Sequence, residues 1–91
     1  MDVAYLVKIR GRVTGVGFRY SALRQAASWP ELRGYIRNVS EDEVEAVVQG
    51  SEEQVNAMRA WLRSGPPYAR VDECREIRLP LEPNLNGFDI R

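Results

Sequence analysis

Apolar and polar residues alternate from the start of the chain. Val3, Tyr5, Val7 and Ile9 share one phase of a two-residue period, and Ala4, Leu6, Lys8 and Arg10 share the other. That pattern predicts a strand ending near Gly11. From Phe18 to about Trp29 the period changes, with Phe18, Ala22, Ala26 and Trp29 recurring at helical spacing. Pro30 then stops the helix, because a residue preceding proline disfavours helical angles. RGYIRNV (Arg33–Val39) is strand-like and EVEAVVQG (Glu43–Gly50) alternates again, with SEDE between them as a hairpin turn. The clearest helix follows. Ser51 with Gln54 three residues later predicts a capping box, and Glu52 and Glu53 suit the positive end of a first turn. Val55, Met58, Trp61 and Leu62 form its apolar stripe, and GPP at 65–67 ends it. YARVDECREIRL is a long strand-like stretch, and a Pro/Asn loop leads from it to GFDIR, a short last strand.

The resulting order predicts an α+β chain, a ferredoxin-like split βαβ sandwich (βαββαβ). One antiparallel sheet carries two helices on one face, with a short extra C-terminal strand. Residues 1–91 are long enough for a single domain with one core. Many functions use this architecture, so the pattern by itself leaves function open.

Charge narrows the field. The formal net charge is zero, which removes bulk attraction to nucleic acid or membrane. The distribution is uneven: residues 1–40 hold seven bases against two acids, and residues 41–91 hold six bases against eleven acids. If the two halves lie together, one region can still be an anion site. The chain has no histidine, which excludes an imidazole base or metal ligand, and its only cysteine, Cys74, excludes an internal disulfide. Cys74 lies in a strand-like run and is expected to be a half-buried thiol, although Arg70 and Arg75 lie nearby in sequence. No apolar run reaches the length of a membrane span, and the N-terminus lacks a cleavable apolar core. A soluble, cytoplasmic protein is expected.

The candidate chemistry lies in GRVTGVGFRYSA, residues 11–22. A P-loop needs a lysine that this stretch lacks, and a dinucleotide fingerprint needs glycine where Tyr20 stands. What remains is a glycine-bearing loop running from a strand into a helix. Gly15 and Gly17 permit positive φ, so successive amides can turn inward as an anion-binding nest. The helix start adds unpaired N–H donors, and Arg19 adds a planar fork suited to phosphate or carboxylate. Each feature alone has a plainer reading: glycines form turns, lone arginines are solvated, and Asn38 ends a strand. Their combination, with the charge asymmetry, singles out the loop.

GRVTGVGFR closely resembles the acylphosphatase signature, roughly G-(R/K)-V-Q-G-V-x-F-R, and GYIRN at 34–38 resembles that family's second signature, G-(W/Y)-V-x-N. VQG before the second helix, MRAWLRSGPPYARVD and the closing F-x-I extend the similarity through the chain. The resemblance implies a phosphoryl cradle formed by the backbone of Thr14, Gly15, Val16, Gly17 and Phe18. It implies that Arg19 binds phosphate and that Asn38 positions the attacking water. It further implies metal-free, cofactor-free hydrolysis of a small-molecule acyl phosphate, by a monomer that engages neither nucleic acid nor membrane.

Three departures accompany the match. Thr14 replaces glutamine, Asp42 stands where a hairpin glycine is usual, and ASWPEL is one residue longer than the usual connection. Asp tolerates the left-handed conformation better than most residues, though less easily than the glycine it replaces. The extra residue is expected to be absorbed near Pro30, since a one-residue shift of the next strand would turn Asn38 to the other side of the sheet. A non-catalytic phosphate- or anion-binding module is the alternative reading. Single-stranded RNA binding, with Tyr5 and Tyr35 as its weak candidates, comes last.

Overall fold

The alternating and helical stretches become five strands and two helices in a computed structural model that describes residues 1–91. They run β1 (Asp2–Arg12), α1 (Phe18–Ala26), β2 (Arg33–Ser40), β3 (Glu43–Ser51), α2 (Glu52–Ser64), β4 (Arg70–Leu79) and β5 (Phe88–Ile90). The sheet order is β4-β1-β3-β2-β5. β1 pairs antiparallel with β3 and β4, and β2 pairs antiparallel with β3. The short β5 joins the edge parallel to β2, so the sheet is mixed rather than wholly antiparallel.

One face of the sheet is apolar and both helices lie on it. Val3, Val7 and Ile9 of β1 join Ile36 of β2 and Val44, Ala46 and Val48 of β3 in a single cluster with Phe18, Ala22 and Ala26 of α1 and Val55, Met58 and Leu62 of α2. Fully burying each large aliphatic side chain contributes about 1.5–3 kcal/mol. The opposite face is charged. The bases of the first half and acids of the second half meet there across the ladders, as Arg37–Glu45, Arg10–Glu43 and Arg10–Glu73.

Two local expectations are corrected, and two of the departures from the family pattern are accounted for. α1 ends at Ala26, three residues before Trp29, because the chain turns sharply there. Trp29 N–H donates to Ala26 O and Leu32 N–H to Trp29 O, both at 3.0 Å, and Trp29 packs against the core from this turn. The helical spacing of Trp29 therefore marked burial, not continuation. The capping box is only half formed: Gln54 N–H reaches Ser51 Oγ at 3.4 Å, but the Gln54 side chain turns to Glu31, accepting from its N–H at 3.0 Å and donating to its carboxylate at 3.2 Å. Asp42 is not left-handed, since only glycines have positive φ. The ladder instead shifts register between Asn38 and Ser40, a bulge that supplies the extra twist. Lastly, the long connection is taken up before β2: Leu32 and Ile36 are both buried. Asn38, two residues beyond Ile36, lies on the same, helix-bearing face.

Candidate functional site

β1 ends at Arg12 and α1 begins at Phe18, leaving residues 13–17 to turn the chain. Gly15 (φ 70°) and Gly17 (φ 74°) make that turn in the left-handed region. A Cβ at either glycine would meet nothing within 4 Å, so the requirement is dihedral rather than steric. The open space is a cleft of about 160 Å³ lined by Val13, Thr14, Gly15, Gly17, Phe18, Arg19, Tyr20 and Asn38.

Gly17 is the N-cap of α1, makes no side-chain cap, and no acid lies in the first turn. None of the turn, loop or cap hydrogen bonds is donated by an amide between Thr14 and Tyr20; the first such donor in the helix is Ser21, to Gly17 O at 2.9 Å. The cleft is thus bordered by free N–H groups at the positive end of a helix. Arg19 forms no ion pair, whereas Arg10, Arg33 and Arg37 from the same basic half all do. Pairing elsewhere consumes much of the charge asymmetry and leaves Arg12, Arg19 and Arg24 without carboxylate partners around the loop.

The loop is tied from beneath by the β2–β3 turn. Thr14 Oγ1 donates to Glu41 O at 2.5 Å, and Gly11 N–H donates to Asp42 O at 2.9 Å. Thr14 therefore does more than lend its backbone, which is all its sequence position suggested. Phe18 fixes the other end of the loop: its ring is buried and meets Trp61 edge-on, with centroids 5.7 Å apart. Only its backbone is available to a ligand. Gly65, which terminates α2, sits against that ring so closely that a Cβ there would lie 2.4 Å from Phe18 Cε2.

Of the residues singled out in the sequence, Thr14, Gly15, Gly17, Phe18, Arg19 and Asn38 share the cleft. Val16 does not line it and instead borders a neighbouring groove. Tyr20 lines both and was missed; its only signal was a large aromatic residue in the first turn of a helix whose apolar stripe lies elsewhere. Cys74 is remote from this chemistry. Burial pushes its thiol up, Glu76 adds to that, and Arg63 and Arg59 only partly oppose it. It is a packed strand thiol, not an activated nucleophile. No group of three or more potential ligands is placed to hold a metal ion.

The acylphosphatase family profile matches residues 5–90. An acylphosphatase from Paraburkholderia xenovorans is 49% identical over 85 residues, spanning 93% of this chain and 87% of its own. Among solved structures, an acylphosphatase from Coxiella burnetii superposes with a TM-score of 0.89 at 30% identity, covering 99% of this chain and 93% of that one. An acylphosphatase from Bacillus subtilis gives a TM-score of 0.88 at 26% identity, with 98% of both chains covered. A match over nearly the whole length, on the scaffold that holds the glycine loop against Asn38, leaves one conclusion: this chain belongs to the acylphosphatase family.

Proposed function

We propose that this chain hydrolyses the carboxyl–phosphate bond of acyl phosphates, with Arg19 and Asn38 as its catalytic residues and the amides of Thr14–Phe18 as the phosphoryl cradle. The observation that carries this reading is the meeting of a free arginine, a strand asparagine and the unpartnered amides of Thr14, Gly15, Gly17 and Phe18 in one cleft. The amides and the Arg19 fork take the non-bridging oxygens. Phosphoryl transfer passes through a loose transition state, so positioning and charge stabilisation do most of the catalysis. The Asn38 side-chain carbonyl accepts from water and aims its oxygen at phosphorus. The new P–O bond forms as the P–O bond to the acyl group breaks, and the electron pair leaves on the carboxylate. That leaving group is a weak base and needs no general acid. The water proton passes to a phosphoryl oxygen, so a chain without histidine suffices.

The surroundings support a small-molecule substrate. Tyr5 is covered by the Arg59 guanidinium, 3.7 Å from its ring centre, and Tyr35 by Arg91 at 4.2 Å, so neither offers a free platform for bases. No helix is long and apolar enough to cross a membrane. We infer a single-domain cytoplasmic monomer that acts without metal or cofactor.

The test is release of carboxylate and phosphate from acetyl phosphate in the presence of chelator. Arg19→Ala should lower turnover by about 10²–10³, the cost of one preorganised donor, and Asn38→Ala by about 10² through loss of the acceptor that orients the water. Full activity in Arg19→Ala would remove the mechanism. Phosphate binding without turnover in the native chain would establish the binding module instead.

A further inference from the structure

Asn38 is held by less of the fold than the loop it faces. β5 pairs with β2 only at Gly34, Tyr35 and Ile36, and the last bond from that side runs from Arg91 N–H to Ile36 O at 2.9 Å. Beyond Ile36, β2 is paired with β3 alone. Residues 37–40 are all exposed, so no buried apolar side chain anchors them. The register shift falls in this stretch, between Asn38 and Ser40. Were the extra residue taken up before Asn38, Asn38 would stand opposite Glu45 and point to the open face of the sheet. The bonds from Thr14 and Gly11 hold the β2–β3 turn at Glu41 and Asp42, beyond the shift, and leave the phase of Asn38 open. One contact lies on the near side of it. Arg37 and Glu45 are register partners; Arg37 Nε donates to Glu45 Oε1 at 2.8 Å, and its Nη2 donates to the same oxygen. The Glu45 side chain is 11% exposed and that of Arg37 51%, so the carboxylate on the inner strand is the fixed member.

We propose that Arg37 and Glu45 are positioning residues for Asn38: bonded on the open face of the sheet, they fix the register that turns the Asn38 amide into the cleft on the other face. The assignment rests on the reading of Asn38 as the group that orients water. Successive side chains of a strand point to opposite faces, so the pair lies behind Asn38 and away from the substrate. An ion pair at a sheet surface adds little stability, and burying one partner can even cost some, so the contribution of this pair is register. Two charge-assisted bonds from one guanidinium to one carboxylate oxygen set direction as well as distance. The neighbouring pairs on the same face do not: Arg10 stands 3.8 Å from Glu43 and 3.9 Å from Glu73, beyond hydrogen-bond length.

The experiment measures kcat and KM for acetyl phosphate in the native chain, Glu45→Gln, Asn38→Ala and the double variant, with inorganic phosphate as a competing probe of the cradle. Arg37→Met is carried through the same set, so that a folding failure in one variant leaves the other to decide. Glu45→Gln should lower kcat about three- to tenfold, less than removal of Asn38 itself, and leave KM and phosphate inhibition unchanged. In the Asn38→Ala background the same change should have no further effect, since the pair acts through Asn38. A folded Glu45→Gln or Arg37→Met with native kcat overturns the proposal. So does a loss of equal size with and without Asn38, or one in which phosphate affinity falls in step with kcat, because either marks a general loosening. Loss of the fold in both variants makes the pair a stability element and overturns it as well. If Asn38→Ala keeps native turnover, the water-orienting role falls and the clamp with it, while the hydrolase reading stands. A native chain without turnover overturns the hydrolase reading and everything built on it.

Discussion

The two helices begin in opposite ways. α2 closes its own N-terminus: Ser51 Oγ accepts from Gln54 N–H, and Glu52 and Glu53 place carboxylates at the positive end. α1 begins on a left-handed glycine with no cap, no acid in its first turn, and Arg19 at the position that corresponds to Glu53. Both are ordinary α-helices on the same face of one sheet, so the fold does not require the difference. With glycine at the cap, that end forgoes a few tenths of a kcal/mol of stabilisation. That loss is recovered when an anion arrives, since the free amides and the helix dipole are then satisfied by the ligand. One end serves folding and the other is left for binding.

The sharpest way to break the contrast is to make α1 resemble α2. Arg19→Glu puts a carboxylate where α2 has one, and acetyl phosphate turnover should fall at least as far as in Arg19→Ala, by about 10³. Thermal stability should hold or rise by about 0.3–1 kcal/mol, because the acid now complements the dipole. A variant that loses activity by unfolding would count against this account. The reverse change is Ser51→Ala, which opens α2. It should cost about 1 kcal/mol, or roughly 4–8 °C in Tm for a chain of this size, with kcat unchanged.

Thr14→Val probes how firmly the open end is held. Losing the bond to Glu41 O should cost about 0.5–1.5 kcal/mol in a urea melt and raise KM more than it lowers kcat, since only the loop is loosened. The smallest effect is expected far from both helix starts, at Glu76 on β4. Burial alone would push its carboxyl up, but hydrogen bonds from Arg59 and Arg63, with their charges, outweigh burial and hold it below the usual carboxylate range. Its folded pKa lies below its unfolded value of about 4.3. The stabilisation is thus complete above that pH and is lost as pH falls through the folded value. Melts between pH 6 and 3 should show this slope in the native chain and a shallower one in Glu76→Gln.

Much of this contrast was legible in the sequence. Two-residue and helical periods placed β1, α1, β3 and α2, and the absence of acids around the glycine loop marked the open end. What escaped notice depends on contacts distant in sequence. The Trp29 period was real, but its ring reaches the core from a turn. Gln54 was read as a partner for its own helix start because that is its nearest neighbour in sequence, yet Glu31 reaches it from 23 residues away. The direction of β5 is set by where its loop re-enters the sheet, and three residues carry no mark of parallel or antiparallel pairing. Thr14 and Tyr20 meet residues distant in sequence: Thr14 bonds the β2–β3 turn, and Tyr20 shares a groove with Pro66, Pro67 and Tyr68.

The contact between Gly65 and Phe18 joins the end of one helix to the beginning of the other. In evolutionary terms it makes positions 18 and 65 a single character. A side chain at 65 must take a left-handed backbone and displace the ring that anchors the phosphate loop. Such a change is open to a descendant of this chain only if position 18 shrinks as well. Drift in the terminator of α2 is therefore confined by the chemistry at the start of α1.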